Sequence, residues 1–123
     1  MFMEASSKFD LEDRLVDFTI IVMDIVEALP NSKAGNTIGN QLIRCCISPA
    51  LNYGEAQAAE SRTDFIHKMK IVHKELKEVS VCVKIIQRRP LITDEIMTNK
   101  VMKETQELIQ IFGKSIQTAI SRK

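Results

Sequence analysis

The sequence has no tryptophan, only four glycines and three prolines in 123 residues, and a single tyrosine beside five phenylalanines. So few turn formers argue against a fold of many short strands and for a few long helices. Cysteine is sparse too. Cys45, Cys46 and Cys82 are odd in number, with two adjacent, which makes no disulfide framework and suits a reduced, cytoplasmic protein. No apolar run reaches the ~20 residues of a membrane span. The opening MFMEASSKFDLEDR carries acids where a secretory signal would carry bases and an apolar core. There is no excess of one charge: the net value is +1, so nucleic-acid contact would need a local patch. What remains is an ordinary globular composition, 45% hydrophobic and 27% charged. It predicts one domain over residues 10–121 after a frayed 1–9, with Phe9 packing back on the bundle.

Apolar periodicity then divides the chain. Asp10 is a candidate N-cap with Glu12 and Asp13 in the first turn. Leu11, Leu15, Phe18, Val22, Ile25 and Leu29 follow at spacings of 4, 3, 4, 3 and 4, one face of a helix. A second apolar set, Val16, Ile20 and Met23, lies on the other side and is a candidate subunit interface. Leu29-Pro30-Asn31-Ser32 ends this helix. A second helix is predicted from Lys33 or Ala34 to Ala59, capped by Ser32, with Ile38, Leu42, Cys45, Pro49, Tyr53 and Ala56 on its core face. Pro49 removes the N–H that the Cys45 carbonyl would accept, a cost of ~3 kcal/mol inside a helix. The apolar spacing nevertheless holds across it, so a continuous helix kinked near Pro49 is predicted. Beside the core face runs a polar stripe: Gln41, Arg44, Ser48, Asn52 and Glu55.

Ser61 reads as the next cap, with Asp64 three residues on, a variant of the capping box. The third helix runs to about Arg89. Its Phe65, Met69, Val72, Leu76, Val79, Val83 and Ile86 alternate spacings of 4 and 3, the seam of bundles and coiled coils. Opposite that seam, Lys70, Lys74, Lys77, Lys84 and Arg88 fall within about 80° of arc. Pro90 stops the helix. Thr93 is the expected cap of a fourth, reaching about Ser121, with Met97, Val101, Leu108, Phe112, Ile116 and Ala119 facing inward. Short connections imply antiparallel neighbours, hence an all-α, up-down-up-down four-helix bundle.

The chemistry-bearing residues make no catalytic constellation. The polar stripe reads first as an inter-helix network: Arg44 pairing with Glu75 or Glu78, and Ser48 and Asn52 satisfying backbone freed by Pro49. A ligand site or inter-subunit contact is the alternative. The basic stripe can track phosphates, or be a solvated face with His67 and Glu78 nearby; no aromatic residue is interleaved for base stacking. A di-iron site needs two Glu-x-x-His motifs, and the nearest match is a lone Asp64-x-x-His67, with His73 on another face. Cys45 and Cys46 diverge by about 100° on a helix, and Cys82 reads as a small apolar filler. Neither a Gly-rich phosphate loop nor a nucleophile elbow is present. The expectation is therefore no enzyme, no cofactor and no metal.

Certain residues carry a resemblance: FDLEDRLVDF, then LPNSKA, then IGNQLIRCCISPALNYGEAQAAESRTDFIHKMKIVHKELKEV. Arg44, Ser48, Pro49, Asn52 and Glu55, followed by Ser61, Asp64 and Phe65, are its most specific part. From residue 9 to about 120 the chain resembles the four-helix-bundle proteins encoded within intervening sequences of bacterial 23S ribosomal RNA genes, also labelled S23 ribosomal proteins. More distantly it is similar to the accessory variability determinant of diversity-generating retroelements, a basic five-fold barrel that binds nucleic acid and a reverse transcriptase. The resemblance implies a homopentamer with a macromolecular partner, RNA or DNA. The near-neutral charge departs from the basic relatives. The competing expectation is a protein–protein adaptor or scaffold.

Overall fold

The computed structural model describes residues 10–122, so the expectations for residues 1–9, Phe9 included, lie outside the described residues. Four helices form: α1 (Leu11–Ala28), α2 (Lys33–Gln57), α3 (Arg62–Arg88) and α4 (Glu95–Ser121). No strand occurs among the described residues. Each helix starts on a side chain that occupies an otherwise orphaned N–H. Asp10 accepts from Glu12 N at 3.0 Å and Asp13 N at 3.3 Å. Ser32 accepts from Gly35 N at 3.0 Å, and Ser61 from Asp64 N at 3.1 Å. The fourth cap corrects the sequence reading: it is Asp94, accepting from Met97 N at 3.1 Å, and not Thr93. A carboxylate there adds charge–dipole attraction to the hydrogen bond, which a threonine hydroxyl cannot. α2 also stops two residues short of Ala59, where Ala58 N and Ala59 N tighten onto Glu55 O and Ala56 O.

The helices pack in chain order, and α4 closes on α1. Cross-helix pairs give the register. Gln41 meets Glu78, Arg44 meets Glu75 and Glu78, and Glu55 meets Lys68. The α3 number falls as the α2 number rises, so these two helices run in opposite directions. Gln87 with Asn99 and Ser80 with Gln106 give the same sense between α3 and α4. Arg14 ties α1 to α4 by bonds to Glu104 at 2.8 and 2.9 Å and to Glu107 at 2.8 Å; the Glu104 bond is the main reason its guanidinium pKa is raised further.

The core is what the spacing predicts along most of its length. Leu15, Phe18, Val22 and Ile25 of α1 are fully buried, as are Val72, Leu76, Val79, Val83 and Ile86 of α3. Tyr53 and Phe112 meet edge to face, with centroids 5.7 Å apart. The apolar pattern of α4 skips from Val101 to Leu108, and the buried Thr105 fills the gap, while Thr98 is buried one turn before Val101. Thr105 Oγ1 donates to Val101 O at 2.6 Å, so the hydroxyl is satisfied within its own helix and its methyl is left to pack.

α2 is unbroken through the buried Pro49. A side chain from another helix serves this turn. Thr19 Oγ1 of α1 lies 2.8 Å from Cys46 O and 2.9 Å from Leu15 O, bridging α1 to α2 beside the carbonyl that Pro49 cannot serve. The sequence reading gave this task to Ser48 and Asn52. Instead Asn52 Nδ2 donates to Ser48 O at 3.0 Å and Ser48 Oγ at 2.9 Å, one turn back on its own helix. A helical Asn reaches its i−4 carbonyl more readily than one seven residues away.

Candidate functional site

The polar stripe of α2 separates into three groups in space. Ser48 and Asn52 form the local pair just described. Glu55 takes Lys68 Nζ at 2.6 Å across the α2–α3 turn. Gln41 and Arg44 converge with Glu75 and Glu78 of α3: Arg44 reaches Glu78 at 3.0 Å and Glu75 at 3.4 Å, and Gln41 Nε2 reaches Glu78 at 3.3 Å. The Glu78 bond, then the Glu75 charge, raise the Arg44 pKa. The two carboxylates differ. The Glu75 side chain is 7% exposed, whereas that of Arg44 is 55% exposed, so a buried charge leans on a mostly solvated partner.

The cysteines lie next to this cluster. Cys45 Sγ donates to Gln41 O at 2.8 Å, and the buried Cys82 is its neighbour on α3. Interaction with the Cys82 thiol, then burial, push the Cys45 pKa up, while the same interaction pulls Cys82 down. Cys46 stands apart, and burial alone raises it to about 11. Cys45 Sγ and one oxygen each of Glu75 and Glu78 lie within 4.8 Å of one another, which makes them the residues able to hold a metal ion. Periodicity on single helices missed this grouping. It depends on the α2–α3 register, which apolar spacing does not supply.

The basic stripe of α3 is solvent-facing in full: Lys70, Lys74, Lys77, Lys84 and Arg88 are all exposed. Among the described residues only Lys74 has an acidic neighbour, Glu75 at 3.9 Å. Glu78, which could dilute the stripe, is turned to Arg44 and Gln41. The sequence reading missed two apolar members of this face, Val81 at 55% exposure and Ile85 at 44%. The spacing carried the signal, since both sit between Lys77 and Arg88 and off the core seam.

On the opposite side of the bundle, Val16 is 43% and Ile20 53% exposed, and Met23 is half-buried. The Thr19–Cys46 bond and the packing of Val26 on Gly39 set the α1–α2 register. Each pair of numbers adds to 65, which places Val16 level with residue 49 and Ile20 level with residue 45. Ile43, Ile47 and Leu51 flank the same groove on α2, and Leu51 is 63% exposed. The apolar strip is therefore wider than the α1 residues alone.

A cavity of about 790 Å³ opens at one end of the bundle, against Tyr53, Phe65, Met69 and Ile111; its described lining contains neither histidine nor cysteine. His73, on the α4 side of α3, has a shifted pKa. Burial, then the Lys77 charge, lower it, opposed by a hydrogen bond to the Ile109 backbone. Its proton is thus taken up more readily by the unfolded chain. The stability this provides is complete above the ordinary value of about 6.5 and is lost as pH falls through the lowered folded value. The thermal midpoint of the wild type should fall faster than that of His73→Gln between roughly pH 7 and pH 5. Parallel curves would contradict this account of His73.

These surfaces define a class of protein: an all-helical four-helix bundle whose candidate functions lie on its outer faces. The chain belongs to the 23S rRNA-intervening sequence protein family, whose model matches residues 8–114. It is similar to the crystal structure of a protein of unknown function from the S23 ribosomal protein family of Bacteroides thetaiotaomicron VPI-5482. The two are 25% identical with a TM-score of 0.77, covering 86% of this chain and 94% of that one. No curated protein matches the chain. Neither the family description nor that structure's carries a reaction. No helix among the described residues is long and apolar enough to cross a membrane.

Proposed function

We propose that this protein is a non-enzymatic, cytoplasmic, self-assembling helical bundle: a homopentamer joined through the α1–α2 apolar strip that presents α3 to the phosphate backbone of RNA or DNA. The observation that carries the nucleic-acid half is the row of five exposed cations on α3, with Glu78 engaged elsewhere. The helical rise sets neighbouring cations about 4.5–6 Å apart along one face, with a gap of about 10 Å between Lys77 and Lys84, spacings within reach of phosphates along a backbone. The pentameric half rests on the resemblance set out above and on the width of the exposed apolar strip. With a net charge of only +1, binding would depend on a local patch such as this one.

The test is a Lys70→Glu, Lys74→Glu, Lys77→Glu chain. Wild-type affinity for RNA or DNA should fall with salt, with a slope of about 0.9 per phosphate contact. The triple variant should bind far more weakly, with a slope lower by about 0.9 for each residue that made a contact. Equal affinities and equal slopes would remove the α3 face from the account. The second reading is a protein–protein scaffold, favoured by Val81 and Ile85 standing exposed among the lysines. It predicts a partner interaction that Val81→Asp abolishes and salt barely moves.

A further inference from the structure

We propose that Cys45, Cys82, Glu75 and Glu78 form a binding site for a thiophilic divalent cation of the zinc class, clamped between α2 and α3. The spacing of the α3 ligands is the first reason. Residues 75, 78 and 82 stand at i, i+3 and i+7, which a regular helix places within about 60° of arc. That arc faces α2, and the α2 residue it meets is Cys45: its Sγ and a carboxylate oxygen of each glutamate lie within 4.8 Å of one another. Cys82, buried on the same arc one turn beyond Glu78, is the fourth donor we add to this group of three. Sub-ångström to ångström-scale rotamer adjustment brings such donors to the ~2.0–2.3 Å bonds of a tetrahedral ion.

The electrostatics are the second and independent reason. Glu75 is nine-tenths buried, and burying a carboxylate is costly unless a cation answers it closely. The cations present answer loosely: Arg44 at 3.4 Å from a mostly solvated position, shared with Glu78, and the exposed Lys74 at 3.9 Å. A metal ion seated among the four donors would compensate Glu75 directly, and Arg44 can swing outward to admit it. The donor set also selects the ion. Two thiols and two carboxylates suit zinc, and thiolates disfavour magnesium and calcium. Binding must release the thiol protons, including the one that Cys45 now gives to the Gln41 carbonyl.

The experiment is titration of the reduced, full-length chain with Co²⁺ and then Zn²⁺. The result expected is one Co²⁺ per chain, with a thiolate-to-cobalt charge-transfer band that Zn²⁺ abolishes, and two protons released per ion. Cys45→Ser and Glu78→Gln should each weaken binding by at least about 100-fold, since loss of a direct ligand exceeds the loss seen for its supporting partners. Cys46→Ser, outside the cluster, should leave the band intact, and Arg44→Gln should tighten binding severalfold by removing the competitor. Circular dichroism checks each fold. If Cys45→Ser loses its helical signal, Glu78→Gln at the half-exposed edge decides. Absence of the band at stoichiometric cobalt would overturn the site, as would its survival in Glu78→Gln. So would a Cys45–Cys82 disulfide that forms while metal does not bind.

Discussion

A Val16→Asp, Ile20→Asp chain is expected to run in solution at the mass of a single subunit, with its helical spectrum unchanged. Both side chains are about half exposed and off the Leu15–Phe18–Val22–Ile25 core, so aspartate there is solvated in the isolated bundle. The same carboxylates become intolerable if the α1–α2 strip is covered by another copy. An uncompensated charge buried at an interface costs on the order of 3–5 kcal/mol, or about two to nearly four orders of magnitude in association constant. Each contact in a ring would carry that cost, so partial assembly should not survive at micromolar concentration. Light scattering reads the outcome directly. A variant that keeps the wild-type oligomeric mass would place the interface on another face. Leu51→Asp, on the α2 side of the groove, should behave in the same way.

The largest effect on stability should come from a pair of glycines four residues apart, with opposite signs. Gly35→Ala is expected to destabilise the fold by about 2–3 kcal/mol, the range for overpacking against atoms that cannot move. An added Cβ would collide with the Pro30 carbonyl oxygen and lie 3.1 Å from both Pro30 C and Pro30 Cγ. That carbonyl is itself held, accepting from Ser32 N at 2.9 Å, in the turn whose Ser32 caps α2. The substitution therefore strains the cap and the α1–α2 connection together. At Gly39 the same methyl would meet only Leu29 Cδ1 at 3.5 Å and Val26 Cγ1 at 3.6 Å, ordinary contact distances. Gly39→Ala should accordingly stabilise, by up to about 1 kcal/mol of helix propensity. Urea midpoints at matched protein concentration distinguish the two, since the proposed assembly would make stability concentration-dependent. A Gly35→Ala midpoint at the wild-type value would contradict this packing.

Much of this was legible before any coordinates. The α3 seam and the α1 core face are strictly periodic, and a helix can bury only what its period brings to one side. Three of the four caps were equally plain: Asp10, Ser32 and Ser61 each stand at the start of a helical run, Ser32 one residue nearer to it than Asn31. Asp94 was ambiguous, since Thr93 and Asp94 are both good caps and only backbone geometry chooses between them. Thr98 and Thr105 escaped because an apolar pattern cannot register a polar residue that satisfies itself on its own helix. Thr19 escaped for a different reason: its partner, Cys46 O, belongs to another helix. The same holds for Cys45, Glu75, Glu78 and Cys82. On single helices they read as a core thiol, two salt-bridging acids and a filler, and only the α2–α3 register makes them one group. Val81 and Ile85 were readable and were passed over because charge drew attention to their neighbours.

The account's central claim is that the bundle self-assembles and uses its α3 face on nucleic acid. Size exclusion coupled to light scattering, with nucleic acid titrated in at low and at high salt, tests it most directly. The account predicts the mass of five chains, rising on addition of nucleic acid at low salt and returning to the protein-alone value at high salt. A single-chain mass that nucleic acid leaves unchanged at every salt concentration would contradict it.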